Sequence, residues 1–192
     1  WRHRGGGLTR STHDLHFAYP NGGFSLGVAD FSVAGGEAVG IGGPSGSGKS
    51  TFLRLLSGIL RPDAGGVTIC GEDAARLPAP ALRSLRLRRL GLVFQDFALL
   101  DYLSVEDNIL LPSRLGGTLT DPVRWQAREL VEQLEIGQHW NRLCGEISQG
   151  ERQRVALARA LAHSPSAVLA DEPTASLDAG RSQIVMHLLM RY

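Results

Sequence analysis

Eight consecutive residues, Gly43-Pro44-Ser45-Gly46-Ser47-Gly48-Lys49-Ser50, combine features that suit one kind of chemistry. Three glycines let main-chain N–H groups turn toward a single point without Cβ clashes. Lys49 brings a positive charge to that point, and Ser50 brings a hydroxyl able to ligate a hard cation. The run fits GxxxxGK[ST] at every fixed position, the pattern of a loop that cradles a di- or triphosphate. Its flanks agree: residues 37–42 are expected to form a short apolar strand. Residues 51–59 read as a helix, with Leu53, Leu56 and Ile59 at helical spacing. The helix aims its positive N-terminus at the same oxygens. Gly43, Ser45, Gly46, Ser47 and Gly48 then line the cradle, Lys49 reaches the β- and γ-phosphates, Ser50 ligates Mg²⁺, and Thr51 stands at the α-phosphate. A glycine-rich turn with a chance Lys-Ser is the plainer alternative, and the flanking pattern argues against it.

A second cluster of chemically useful groups closes the apolar run 167–170, which ends in Asp171-Glu172. A carboxylate at the C-terminal end of a strand in a parallel sheet lies at the ligand crevice. Asp171 is expected to hold Mg²⁺ through its water shell, and Glu172 to polarise an attacking water as general base. An exposed Asp-Glu-Pro turn would explain the same letters in isolation, but not beside a phosphate loop.

These groups need elements to position them. Residues 12–19 and 24–33 read as two strands joined through the turn Pro20-Asn21-Gly22-Gly23, a hairpin. A strand is expected over 67–70, an arginine-rich helix over 80–90 and a strand over 90–94. Residues 95–121 are mixed and turn-rich. Asp121-Pro122 resembles a helix start, and the helix runs to about 135, burying Ala127, Leu130, Val131 and Leu134. Further helices follow over 150–163 and 180–191, on either side of the 167–170 strand. Strands alternating with helices imply an α/β fold with a parallel sheet, into which a helical subdomain over about 96–163 is inserted.

Composition narrows the classes. The 192 residues are 43% apolar and 20% charged, which are globular values. A formal net charge of +1 argues against a nucleic-acid binder, and Arg83, Arg86, Arg88 and Arg89 read as a solvated helix face. Trp125 and Trp140 read as packing residues of the helical part. Cys70 and Cys144 stand far apart and outside any zinc spacing, as reduced thiols; His3, His13, His16, His139 and His163 show no metal-ligand spacing. No apolar run approaches the roughly 20 residues that cross a bilayer.

The field narrows further from residue 147. Ile147-Ser148-Gln149-Gly150-Glu151 followed by Arg152-Gln153-Arg154-Val155-Ala156-Leu157-Ala158-Arg159-Ala160-Leu161 resembles the signature segment of ABC-type ATP-binding subunits, LSGGQ or LSGGE with RQRVALARAL. Asp171-Glu172-Pro173-Thr174 and Ser176-Leu177-Asp178 resemble that family's extended Walker B and D-loop. Val93-Phe94-Gln95-Asp96 resembles its Q-loop, and Tyr19 stands where its A-loop aromatic stacks on adenine. The motifs run through nearly the whole chain in the family's order.

The resemblance implies a P-loop NTPase core with a parallel sheet, an N-terminal antiparallel β subdomain and an inserted α-helical subdomain, together one ATP-binding domain over 1–192. It implies ATP and Mg²⁺ as cofactors. Glu172, Gln95 and Lys49 would carry catalysis, and Ser50, Gln95 and Asp171 the metal. Ser148 and Gly150 would face the γ-phosphate on a second subunit, Asp178 would bridge the interface, and ATP would be sandwiched in a head-to-tail homo- or heterodimer. A separate transmembrane permease subunit would be the other partner, on the cytoplasmic face of the cell membrane, with no nucleic acid involved. Residues 97–112 are similar to the lipoprotein-release and macrolide-export type.

Two departures stand out. Gln149 replaces the signature's first glycine, which is expected to modify the trans contact without removing it. The family's switch histidine lies on a strand further downstream than the sequence reaches; His187 falls inside a helical pattern (Ile184, Val185, Leu188, Leu189). Without that strand the sheet is expected to have a gap beside the phosphate-loop strand, as in a C-terminally shortened subunit. Among other readings, ABC proteins of DNA repair or chromosome structure need a long coiled coil between Q-loop and signature, where only residues 96–146 intervene without heptads. Translation types carry two such domains. A nucleotide-binding module with little hydrolysis is separated from an ATPase by comparing binding with turnover.

Overall fold

In the hairpin, apolar residues at every second position bury one face of a strand whose other face is wet. The computed structural model describes residues 8–191, with side chains from residue 11; Trp1, His3 and Tyr192 lie outside the described residues. The hairpin pairs β1 (Leu8–Ala18) with β2 (Ser25–Ala34), antiparallel. Thr12, Leu15 and Phe17 are buried on one side of β1, while His13 and His16 are exposed on the other. Gly22 and Gly23 take φ of +73° and +89° in the connecting turn, as expected of Pro-Asn-Gly-Gly. The second edge of β1 carries β3 (Ala64–Ile69), which pairs with the short β4 (Glu72–Asp73), giving the order β2-β1-β3-β4.

Helix α1 (Lys49–Leu56) buries Phe52, Leu55 and Leu56. Phe52 meets Phe31 of β2 edge-on, with ring centroids 5.1 Å apart. Helix α2 (Ala79–Arg89) turns only Leu82 and Leu85 inward, and Arg86 donates to the Gly58 carbonyl at 2.7 Å.

Residues 37–42 depart from expectation and form no strand. Val39 and Ile41 are 45% and 38% exposed. An isolated extended segment gains no ladder hydrogen bonds, and no described segment pairs with this one.

The chain forms two compact units, one up to Arg86 and one from Leu87. In the second, β5 (Leu90–Val93) and β6 (Ala167–Ala170) pair in parallel, Leu90 opposite Ala167 through Val93 opposite Ala170. Around them are α3 (Val105–Leu115), α4 (Asp121–Gln133), α5 (Gln149–Leu161) and α6 (Ala179–Leu189). Helix α5 is buried from Gln153 to Leu161, as the central element of a helical core must be. Gly91 of β5 explains the close approach of strand and helix: a Cβ there would lie 2.5 Å from the Ala160 carbonyl oxygen.

Helix α3 lies inside the stretch expected to be mixed and turn-rich. Ser104 caps it, accepting from the Asp107 amide at 3.0 Å, and Glu106 and Asp107 complement its N-terminus. The fully buried Asn108 fixes the preceding loop, donating to the Leu100 and Leu103 carbonyls and accepting from the Leu100 amide. Strand β1 begins at Leu8, four residues before the expected 12, and the remaining boundaries fall within three residues of the sequence reading. None of the described helices is long and apolar enough to cross a membrane.

Candidate functional site

In the first unit, the loop 43–48 leads into α1. Its last residue, Gly48, is the helix N-cap in the left-handed region, φ +95°, and Gly46 has φ +78°. Gly48 offers no side-chain cap, and the first turn of α1 contains no acid. The first-turn amides of a helix have no intrahelical partner, so here they are left for an external acceptor. Lys49 folds back over the loop: its Nζ donates to the carbonyls of Gly43 at 2.8 Å and Pro44 at 2.9 Å. The ammonium group thus closes the loop into a ring. Ser45, Gly46 and Ser47 lie within this ring and Ser50 follows it on α1, and the Ser47 amide donates to the Pro44 carbonyl at 3.3 Å. Tyr19 lies in the same unit, its hydroxyl 3.2 Å from that of Thr51 and its ring edge-on to Phe17 at 4.9 Å. The phosphate loop, Thr51 and Tyr19 are therefore brought together.

In the second unit, the Asp171 amide donates to the Val93 carbonyl at 2.9 Å, so the ladder carries one step past β6 before the chain turns. Glu172 makes that turn with φ +51°, an uncommon conformation for a residue with a Cβ. The Gln95 amide reaches its carboxylate at 3.5 Å. Buried Gln153 ties the turn down, donating to the Glu172 carbonyl and accepting from the Ser176 amide, each at 3.2 Å. The loop after Gln95 is held from α5 as well: Arg159 donates to the carbonyls of Phe97 and Ala98, both with positive φ. Gln95, Asp171 and Glu172 thus form one group at the ends of β5 and β6.

A second polar group surrounds the start of α5. Ser148 is its N-cap within a capping box: its Oγ accepts from the Glu151 amide, and the Glu151 carboxylate accepts from the Ser148 amide at 2.8 Å. The Ser148 hydroxyl donates to the same carboxylate at 2.7 Å. These bonds hold the Glu151 carboxyl at about 2, well below its ordinary 4.5, so it is ionised at neutral pH. Ser148, Gly150, Glu151, Arg154, Asp178 and Arg181 are among the residues lining a cavity of about 150 Å³. Asp178 caps α6 and pairs with Arg181 at 2.6 Å, and the Arg181 amide draws its carboxyl below the usual range. Arg154 is 6% exposed, and its Nε has no hydrogen-bond partner among the described residues.

The structure thus brings Ser148, Gly150 and Asp178 together, and beside them the residues that sequence reasoning left without a role: Arg154, Arg181 and Gln153. Only the position of Arg154 and Gln153 within the signature run could have drawn attention to them.

Taken one by one, Ser50 of the first unit and Gln95 and Asp171 of the second each carry an oxygen donor, the kind that Mg²⁺ prefers. Among the described residues no group of three or more His, Cys, Asp or Glu side chains forms a metal cage; Mg²⁺ that keeps waters and phosphate oxygens needs none.

Comparison with known proteins points one way. The family model described as ABC transporter matches residues 26–175. The ABC transporter ATP-binding protein YxdL of Bacillus subtilis is 43% identical over 159 residues, covering 83% of this chain and 62% of its own length. The lipoprotein-releasing system ATP-binding protein LolD 1 of Rhodopirellula baltica is 40% identical over 181 residues, 93% of this chain and 79% of that protein. Among solved structures, the dimeric bacterial ABC transporter cassette MJ0796 superposes with a TM-score of 0.84 at 33% identity, over 94% of this chain and 81% of that one. A second structure of that cassette, in a post-hydrolysis state bound to ADP and Pi, matches equally well. The chain spans less than two thirds of the length of several of its relatives, 53% in the methionine import protein MetN of Caulobacter vibrioides.

Proposed function

Because this chain belongs to the ABC transporter ATP-binding family, we propose that it binds Mg-ATP and hydrolyses it between two copies of the fold to drive a separate membrane permease. The observation that carries the reading is the phosphate loop, in which Lys49 bridges the Gly43 and Pro44 carbonyls beside an uncapped helix start.

The roles follow from chemistry. Main-chain amides of 45–51 and the Lys49 ammonium hold the phosphate oxygens. Tyr19 offers its ring to the adenine base, and Thr51 its hydroxyl to the α-phosphate. Ser50, Gln95 and Asp171 hold Mg²⁺, which when bound neutralises the phosphate charge. Glu172 takes the proton of the attacking water, and Gln95 carries the state of the γ-phosphate to the permease. Ser148, Gly150 and Asp178 serve the nucleotide of the second copy, since the N-terminus of α5 favours an anion. The dimeric cassette of similar fold, and its state with ADP and Pi, support a cycle of association and release. A peripheral position on the inner face of the cell membrane follows from the permease as partner. The similarity to a lipoprotein-releasing ATP-binding protein favours that transporter type.

The test is nucleotide titration of the wild-type chain and of Lys49→Ala. Removing the ammonium is expected to weaken MgATP binding at least about tenfold, the loss of one charge-assisted contact to phosphate. Equal affinity in the two proteins would overturn the reading.

A further inference from the structure

The signature segment carries a feature that its motif does not explain. Its last residue, Glu151, places a full negative charge at the start of the helix proposed to receive a phosphate. Like charges a few ångströms apart repel, and inside a closing interface they are poorly screened. The structure holds this carboxylate from three directions. One oxygen accepts from the Ser148 amide and hydroxyl. The other lies 2.8 Å from Nε2 of His139, in the 3₁₀ turn Gly137–His139 that precedes α5 in the chain.

His139 is 9% exposed. Its Nδ1 is buried without a hydrogen-bond partner among the described residues, so the ring acts through Nε2 alone. The Gln138 amide nitrogen lies beside the same atom at 3.2 Å. Because Glu151 is ionised, Nε2 carries the proton of the shared bond and donates it to the carboxylate.

We propose that His139 is a positioning residue for Ser148: by holding the second oxygen of Glu151, which lines the same cavity as Ser148 and Gly150, it fixes the carboxylate in the capping box and keeps its charge from swinging further toward the partner's terminal phosphate. Without that bond only the Ser148 amide and hydroxyl hold the carboxylate, both through one oxygen, and the other oxygen can swing about that grip. Its charge then moves toward the incoming anion, and the Ser148 hydroxyl loses its fixed acceptor. The inference rests on the proposed trans role of Ser148 and adds the device that lets an acidic signature segment accept a phosphate. The imidazole acts through another residue and touches no reacting atom.

The geometry supplies a stereochemical test. A glutamine amide nitrogen can replace Nε2, whereas an asparagine amide nitrogen falls near Nδ1, which has no partner here. His139→Gln, His139→Asn, His139→Ala and Ser148→Ala are compared in the full-length subunit assembled with its permease. The readouts are turnover, KM for ATP and thermal midpoint. The expected result is a fall in kcat of about tenfold in His139→Ala and His139→Asn, the scale of one hydrogen bond to a charged group. KM is expected to stay unchanged, and His139→Gln to remain within about twofold of wild type. A merely structural role would instead lower the thermal midpoint in all three His139 variants without separating Gln from Asn, and would overturn the proposal, as would wild-type turnover in His139→Ala. If His139→Ala does not fold, the Gln–Asn comparison decides. If Ser148→Ala keeps full turnover, the trans role itself fails; if Ser148→Ala is impaired and His139→Ala is not, only the inference fails.

Discussion

At the scale of single residues, the phosphate loop shows how one atom's position can constrain a substitution. Gly48 and Gly46 both have positive φ, where a Cβ is strained. Their surroundings differ. A Cβ on Gly48 would lie 2.5 Å from Cζ of Phe24, whereas one on Gly46 would meet nothing within 4 Å. Gly46→Ala therefore carries backbone strain alone, about 1–2 kcal/mol. Gly48→Ala adds a collision with an aromatic ring at the start of α1, so it should cost more, up to about 3 kcal/mol, and should also tilt the amides that face the anion. Urea denaturation and nucleotide titration of the two variants check this. Equal midpoints and equal affinities would show that Phe24 yields freely. The same scale explains what sequence reasoning could not reach. Gln153 bonds to the Glu172 carbonyl and the Ser176 amide, His139 reaches Glu151 on another element, and Arg154 is buried, so their types alone do not reveal whether they are solvated, buried or coupled.

At the scale of elements, α5 is the piece whose ends do different work: its start faces the cavity, and its body is the core. The capping box at its start is sensitive to acid in a direction set by Glu151. The carboxyl sits at about 2 in the folded chain against an ordinary 4.5, so folding favours the ionised form. That contribution is present in full above about pH 4.5 and is lost as pH falls toward 2. Wild type should therefore lose stability across this window more steeply than Glu151→Gln, which keeps a side-chain acceptor but does not titrate. Guanidinium midpoints measured at intervals from pH 5 to pH 2 should converge in the two proteins at the acid end; parallel curves would show that Glu151 carries no such coupling. Element by element, legibility tracked how local the determinants are. The β1–β2 hairpin was readable from alternation and from Pro20-Asn21-Gly22-Gly23, and α4 from Asp121-Pro122. Helix α3 was hidden because Pro112 interrupts its pattern from within, although Ser104 and the acids after it form an ordinary start. Of the candidate site, the phosphate loop and the Asp171-Glu172 pair were legible because contiguous residues make them. The grip of Arg159 on the Phe97 and Ala98 carbonyls was not, because residues far apart in the chain make it.

At the scale of the whole molecule, the segment 37–42 matters most. Its apolar run has the propensity of a strand, but propensity forms no ladder unless a neighbouring strand supplies hydrogen bonds, and that is a property of the fold and not of the six residues. The result is a stretch with no strand partner among the described residues that exposes Val39 and Ile41. Unpaired extended apolar backbone is a template for pairing with another chain. The formal net charge of +1 supplies almost no long-range repulsion to keep copies apart. Self-association of this chain should therefore run through 37–42 and be suppressed by charge placed there. Val39→Lys combined with Ile41→Glu changes net charge by nothing and lowers local apolarity, so it separates segment pairing from simple charge repulsion. Light scattering of the concentrated chain at pH 7 should grow several-fold more slowly in the double variant than in wild type. A control pair, Leu115→Lys with Trp125→Glu, makes the same charge change at exposed apolar residues on α3 and α4. It should leave the growth near the wild-type rate. If the control suppresses scattering equally, exposed apolar surface in general drives association, and the unpaired segment has no special part in it.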